Sequence, residues 1–156
     1  MVVVHILSEK NLDKLIAFEK RARTSEPDVF THEFDSEKFA KETLAAMQSP
    51  SFASTRCLIC EDANGHVIGR IDFSIVSSFA FGGSIRAYVD WIYVLKECRN
   101  EGIAKLLFKR MEGHLAELGV NDYFLIAAEN KEAQTFYHCM KGSHIQKQDV
   151  LTKKLC

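Results

Sequence analysis

Between Ala87 and Lys105 the chain reads AYVDWIYV, then LKEC, then RNEGIAK, and this stretch holds the residue types best suited to chemistry. One carboxylate, Asp90, is set inside an otherwise β-branched and aromatic run. Arg99, Gly102 and Ala104 follow a polar turn, at the point where an apolar helical periodicity begins. A helix start presents unpaired backbone N–H groups and the positive end of the helix dipole. Gly102 and Ala104 leave room for those amides to approach a bulky anion, and the planar fork of Arg99 suits phosphate oxygens. These residues at this spacing predict a site for a phosphate-bearing cofactor.

The rest of the chain must hold that stretch in place. Residues 2–6 read as a short apolar strand. Ser8 can cap a helix with Leu12, Leu15 and Ile16 on one face, ending near Arg23. The segment from Glu26 to Glu37 has five acidic residues and no Lys or Arg. Ser36 is the expected cap of a second helix with Phe39, Ala40, Thr43, Leu44 and Met47 on one face, stopped by Ser49-Pro50. RCLICED, Asn64-Gly65 and HVIGRIDFSIV predict a hairpin whose two turn positions both take positive φ. Residues 77–84 form a second turn before the central strand. Ile103, Leu106, Leu107, Met111, Leu115 and Leu118 mark a long helix closed by Gly119. Residues 122–128 read as a buried strand, and Asn130 caps a last helix with Ala133, Phe136, Tyr137 and Met140 inward. The tail HIQKQDVLTKKL is expected to add one or two short strands.

The order β-α-α-β-β-β-α-β-α-β(β) predicts an α+β fold: a central mixed sheet of six to seven strands flanked by about four helices. Residues 85–128 should place two parallel strands side by side through a right-handed crossover. At 156 residues the chain is expected to form one domain, 1–156. A net charge of −1 gives the molecule no electrostatic case for nucleic acid or an anionic membrane. MVVVHIL lacks the basic start of a signal peptide, and no apolar run is long enough to span a bilayer, so a cytoplasmic protein is expected. Cys57, Cys60, Cys98, Cys139 and Cys156 are an odd set, expected to stay reduced. Cys57 and Cys60 form a C-x-x-C, but three residues apart on a strand they face opposite sides, which favours a structural reading over a redox or metal site.

The arrangement resembles the GNAT superfamily of N-acetyltransferases over nearly the whole chain. Val94, Arg99, Gly102 and Ala104 follow its V-x-x-x-x-(Q/R)-x-x-G-x-(G/A) pyrophosphate motif, and Asn130, Ala133, Phe136 and Tyr137 follow its later helix motif. Lys96 stands where the family often has proline, and Asn100 and Glu101 replace small or basic residues, so that Glu101 adds a negative charge beside the expected phosphates. Gly142-Ser143 lies five residues after the tyrosine instead of four.

The resemblance implies acyl transfer from acetyl-CoA to an amine in a ternary complex, with no metal. It implies a cofactor site made by the backbone of Ile92, Tyr93 and Val94, by Arg99, Asn100, Glu101, Gly102, Ile103, Ala104 and Lys105, and by Asn130 and Tyr137. An alkyl amine is almost wholly protonated at neutral pH, so something must take a proton before attack. Asp90, with a pKa raised by burial, is the candidate base, and Glu129 the second. A salt-bridged or solvent-facing strand residue explains Asp90 too, and a polar residue before a helix cap explains Glu129. Tyr137 can return a proton to the leaving thiolate, or only pack its helix beside Phe136. Asn130 can be a plain cap and Lys105 a solvated lysine. In the family the first two helices and their connection wall the acceptor, so the acidic run from Glu26 to Glu37, with Phe30, His32 and Phe34, suits a cationic amine. Trp91 and Tyr93 are expected in the core. A homodimer is left open. The competing reading is a non-catalytic acyl-CoA-binding or protein-interaction module that keeps the fold.

Overall fold

The computed structural model describes residues 1–154, with the side chain of Phe81 left aside. It falls into two compact units, Met1–Leu125 and Ile126–Cys156.

In the first unit five strands pair in the order of the chain: β1 (Val3–Ile6), β2 (Thr55–Glu61), β3 (Val67–Ser78), β4 (Ser84–Val94) and β5 (Tyr123–Leu125). The first four are antiparallel, and β5 lies parallel to β4. The helices of this unit are α1 (Leu12–Ser25), α2 (Ser36–Gln48) and α3 (Ile103–Glu117). Side chains alternate across a strand, so Gly69 and Arg70 on β3 look to opposite faces. A Cβ on Gly69 would meet Ile103, Leu107 and Val94 at 3.1–3.4 Å, which places α3 on that face with almost no spare room. Arg70 pairs with Glu19 of α1, and Tyr93 meets Phe18 edge-on, which places α1 on the other face. The core between these layers contains Leu15, Phe18, Ile59, Ile71, Phe73, Leu107 and Met111, all 0–2% exposed. Burial of such side chains contributes about 1.5–3 kcal/mol each.

The helices follow their periodicity. Leu12, Leu15, Phe18 and Ala22 are the buried stripe of α1, and Ile103, Leu107, Met111 and Leu115 that of α3. Leu118, expected on that stripe, is 47% exposed because it lies past the last helical turn, next to Gly119 at φ 72°. The cap of α2 is Asp35 and not Ser36: its carboxylate accepts from the amides of Glu37 and Lys38 at 3.0 Å. Asp at the cap also places a negative charge at the positive end of the helix. The hairpin at Asn64-Gly65 forms, but only Gly65 has positive φ, 78°. Asp62 governs the turn, accepting from the Asn64 and His66 amides at 2.9 Å, so the loop is longer than a two-residue turn.

Two expectations fall short. The strand predicted over 122–128 is paired only at Tyr123–Leu125, and no strand forms over residues 144–154, leaving a five-stranded sheet. The polar run HIQKQD has no alternating apolar face to bury. The end of that tail prediction, Leu155, and the thiol of Cys156 lie outside the described residues.

In the second unit α4 (Lys131–His138) starts at Asn130, whose Oδ1 accepts from the Ala133 amide at 2.9 Å. Ala133, Phe136, Tyr137 and Met140 are half-buried, as the spacing predicts, and Gln134 is half-buried beside them.

Candidate active site

The site begins with an irregularity in β4. Its register with β3 slips between Asp72 and Phe73: Phe73 opposes Val89 and Asp72 opposes Trp91, which leaves Asp90 as the extra residue of a bulge. The bulge changes which backbone groups face each neighbour. Before it, the Ala87 amide donates across to Asp122 O at 3.0 Å, on the β5 side. After it, the Leu95 amide donates to Ile68 O at 3.0 Å, on the β3 side. By alternation Tyr93 turns its backbone to β3, and Ile92 and Val94 turn theirs to the edge facing away from β3.

That edge is open. Pairing with β5 ends at Val89 and Leu125, while β4 runs on to Val94, so among the described residues no strand pairs with Ile92 or Val94 on that side. Asp90 is the first residue past the last pair. It is exposed, not buried as the apolar run suggests, because the bulge turns it out of the pleat. The burial expected of Asp90 is therefore not what the structure shows. Trp91 is likewise exposed at 39%, against the expectation of a core position, whereas Tyr93 is buried at 7%.

Beyond β4 the chain makes a short 3-10 turn and then two left-handed residues, Asn100 at φ 63° and Gly102 at φ 81°. Glycine adopts that conformation freely, and asparagine more readily than most residues. They bend the chain so that α3 starts at Gly102 with no side-chain cap and no acidic residue in its first turn. The first-turn amides of Ile103, Ala104 and Lys105 are thus left for an external acceptor. Glu101 and Lys105 are both exposed beside them. Ile103 itself is buried, so only its backbone is offered.

Arg99 is committed within the protein. Its Nε donates to Val94 O at 3.2 Å, one terminal nitrogen donates to Glu26 Oε1 at 3.1 Å, and the other pairs with Glu26 Oε2. The Tyr93 hydroxyl also donates to Glu26 Oε2, at 2.5 Å. Burial pushes the Glu26 carboxyl up, but the hydrogen bonds from Tyr93 and Arg99 and the charge of Arg99 outweigh it and hold the pKa below the ordinary value. Burial and the same bond to Glu26 push the Tyr93 phenol up to about 12. The sequence marks Glu26 only as part of an acidic run. The signal that could single it out is its place directly after the end of α1, where it closes the helix by donating to Ala22 O and opens the next turn by accepting from the Val29 and Phe30 amides.

The segment that follows, 26–35, is held by aromatic contacts. Phe30 stands 5.1 Å from Tyr93 and 6.1 Å from Trp91 between ring centres. Arg23 lies over Phe30 and Phe34 at 4.8 and 4.3 Å, and its own guanidinium is fixed by Glu19, which also binds Arg70 at 2.5 Å. Of the acidic run, Glu26 is spent on Arg99 and Asp35 on the α2 cap, while Asp28, Glu33 and Glu37 face solvent with His32.

Cys57 and Cys60 sit on β2 opposite Asp72 and Gly69. Burial raises both thiols, Cys60 to about 11, and Asp72 raises Cys57 further, so neither is a ready nucleophile. Among the described residues no group of three or more His, Cys, Asp or Glu side chains could hold a metal ion, and no helix is long and apolar enough to cross a membrane.

In the second unit Tyr137 is half-buried, its ring 5.6 Å from that of Phe136. Burial raises its phenol above the ordinary value, so it keeps its proton at neutral pH. Asn130 uses its side-chain oxygen on its own helix, and Glu129 is exposed.

Comparison with known proteins gives one family and many folds of the same kind. The profile of the acetyltransferase (GNAT) family matches residues 16–140. No curated protein matches the sequence. Among solved structures, an aminoglycoside acetyltransferase from an uncultured soil metagenomic sample superposes with a TM-score of 0.74 at 18% identity, covering 99% of this chain and 96% of the other. The aminoglycoside 6'-N-acetyltransferase of Acinetobacter baumannii gives 0.72 at 22%, covering 100% and 99%. The ribosomal-protein-alanine N-acetyltransferase of Brucella melitensis gives 0.74 at 16%, covering 98% and 100%. At these identities the likeness is one of fold.

Proposed function

The chain belongs to the acetyltransferase (GNAT) family, and from that premise we propose that it is a cytoplasmic N-acetyltransferase that moves the acetyl group of acetyl-CoA to a primary amine. The observation that carries the reading is the open edge of β4 at Ile92 and Val94, next to an uncapped α3 start behind Gly102. The two fit the two halves of the cosubstrate. An amide-containing arm can add to the strand edge by backbone hydrogen bonds. A pyrophosphate matches the first-turn amides of Ile103, Ala104 and Lys105 and the helix dipole.

In this reading Asp90 takes the amine proton, through water, since it is exposed at the point where β4 and β5 part. The amine nitrogen then forms a bond to the thioester carbonyl carbon, and the carbon–sulfur bond breaks. A backbone N–H of Ile92 or Val94 offers a hydrogen bond to the carbonyl oxygen as it gains charge. Tyr137 gives its phenolic proton to the departing thiolate and regains the second proton that the amide nitrogen sheds, so that thiol, amide and phenol all end neutral. Its raised pKa supports a donor and not a base. The exposed carboxylates Asp28 and Glu33, with Trp91 and Phe30, support a cationic amine on a small molecule or a peptide.

The test is calorimetric titration with acetyl-CoA, followed by a thiol-release assay across a panel of amines. Micromolar binding and turnover are expected, with kcat of Tyr137→Phe lower by about 10²–10⁴-fold at unchanged acetyl-CoA affinity. Binding without turnover of any amine would favour the non-catalytic acyl-CoA binder, and no binding would remove the cosubstrate from the reading.

A further inference from the structure

The tie between Arg99 and Glu26 joins two parts of the first unit that are 73 positions apart in the chain. On one side is the turn that bends at Asn100 and Gly102 and opens α3. On the other is segment 26–35, which brings Phe30 against Trp91. A single carboxylate links them. It accepts from both terminal nitrogens of Arg99 and from the Tyr93 hydroxyl. The guanidinium also lies 5.4 Å from the centre of the Tyr93 ring, and its Nε holds Val94 O at the end of the open edge. The pair is poorly screened by water, with the Glu26 side chain 14% and the Arg99 side chain 26% exposed. A two-pronged guanidinium–carboxylate contact transmits displacement in both directions, because its geometry tolerates little shear.

We propose that Glu26 is a positioning residue that couples occupancy of the α3 turn to the placement of the acceptor wall. An anion arriving at the turn draws on the same guanidinium that holds Glu26. The carboxylate yields or follows, and segment 26–35 moves with it, shifting Phe30 over Trp91. This rests on the acetyl-CoA reading above, and adds that the cosubstrate prepares the amine site.

Trp91 is the single tryptophan of the chain, so its emission reports the Phe30 contact directly. The experiment titrates the whole protein with acetyl-CoA, following heat and Trp91 emission in parallel. The wild-type protein is expected to show an emission change that saturates with the calorimetric Kd. Glu26→Gln keeps the size of the side chain but loses the charge and the two-pronged acceptor. It is expected still to bind, with Kd shifted roughly fivefold or more, and to lose most of the emission change. Glu26→Asp, which keeps the charge, restores part of the response. A purely supporting role for Glu26 would lower the melting temperature without separating heat from emission. The proposal is overturned if Glu26→Gln keeps both the wild-type Kd and the wild-type emission change, the result expected of direct quenching by the ligand. It is equally overturned if wild-type binding leaves Trp91 emission unmoved. If Glu26→Gln does not fold, Arg99→Lys is read by the same criteria, since lysine keeps the charge and loses the fork. Absence of any heat of binding in the wild-type protein sinks the acetyl-CoA reading instead, a result distinct from the other two.

Discussion

The turn from Leu95 to Gly102 and the segment from Glu26 to Asp35 both flank the end of β4, and they are built by opposite means. The turn is made by backbone. Two left-handed residues and a helix start fix it, and its useful groups are main-chain amides. The segment is made by side chains. Glu26 is pinned by Arg99 and Tyr93, Phe30 and Phe34 lie under Arg23, and Asp35 caps the next helix. Backbone geometry announces itself in sequence, because left-handed conformations select for glycine and asparagine at particular positions. A site held by distant side chains leaves no local mark.

If the turn is a backbone device, its largest weakness is Gly102. A Cβ there would meet nothing within 4 Å, so the cost of a substitution is conformational alone. Gly102→Val is expected to lose about 1–2 kcal/mol of stability, the penalty of a β-branched residue in the left-handed region. Its relief by rotation would swing the first amides of α3 away from their common point. Acetyl-CoA binding should then weaken by about 1.5–3 kcal/mol for each amide that no longer reaches a phosphate oxygen. Calorimetry and thermal melts separate the two effects. Normal binding by a folded Gly102→Val would break the comparison, since the amides would not need the turn.

Arg99 belongs to both regions and is the next test. Arg99→Ala is expected to weaken acetyl-CoA binding by roughly 1.5–3 kcal/mol if the guanidinium itself meets the pyrophosphate. It also leaves the Glu26 carboxylate half-buried without its main partner, so the melting temperature falls. Comparison with Glu26→Gln sharpens the point. Equal losses of affinity in the two variants would assign Arg99 wholly to the tie. A larger loss in Arg99→Ala would leave it a direct phosphate ligand as well.

The same contrast explains what could be read from the sequence. The α3 helix, its glycine start and the cap at Asn130 are legible because each is a local rule: apolar spacing, a required φ, an oxygen before a first turn; the parallel β4–β5 pair follows from the strand–helix–strand order. The bulge at Asp90 is not, since it depends on register with β3, and its effect reverses the expected burial of both Asp90 and Trp91. The shortness of β5 and the absence of strands over 144–154 depend on what packs against them, which a local pattern does not report. The Glu26–Arg99 tie is invisible for the same reason, although the acidic run containing Glu26 is plain. The run misleads in one respect. It suggests a uniform acidic wall, whereas Glu26 and Asp35 are consumed by the fold.

The smallest expected effect is one of pH, and it starts from the segment. The amides of Gly102 to Lys105 do not titrate, so acidification reaches the turn only through Arg99 and its tie to Glu26. Glu26 does titrate. Burial works to raise its pKa, but Tyr93 and Arg99 favour the charged form more strongly, and the folded value lies below the ordinary 4.5. A carboxyl whose folded pKa is depressed binds fewer protons folded than unfolded. Its contribution to stability is therefore complete above the unfolded value and is lost as pH falls through the folded one. Melting temperature should decline as pH drops below about 4.5, and the decline should be shallower in Glu26→Gln, which has no proton to take up there. Trp91 emission, recorded along the same acid titration before any global unfolding, should shift in the wild-type protein and stay level in Glu26→Gln. Identical acid profiles for the two proteins would show that the carboxylate is not what holds segment 26–35 in place, and Phe30 and Arg23 would have to hold it alone.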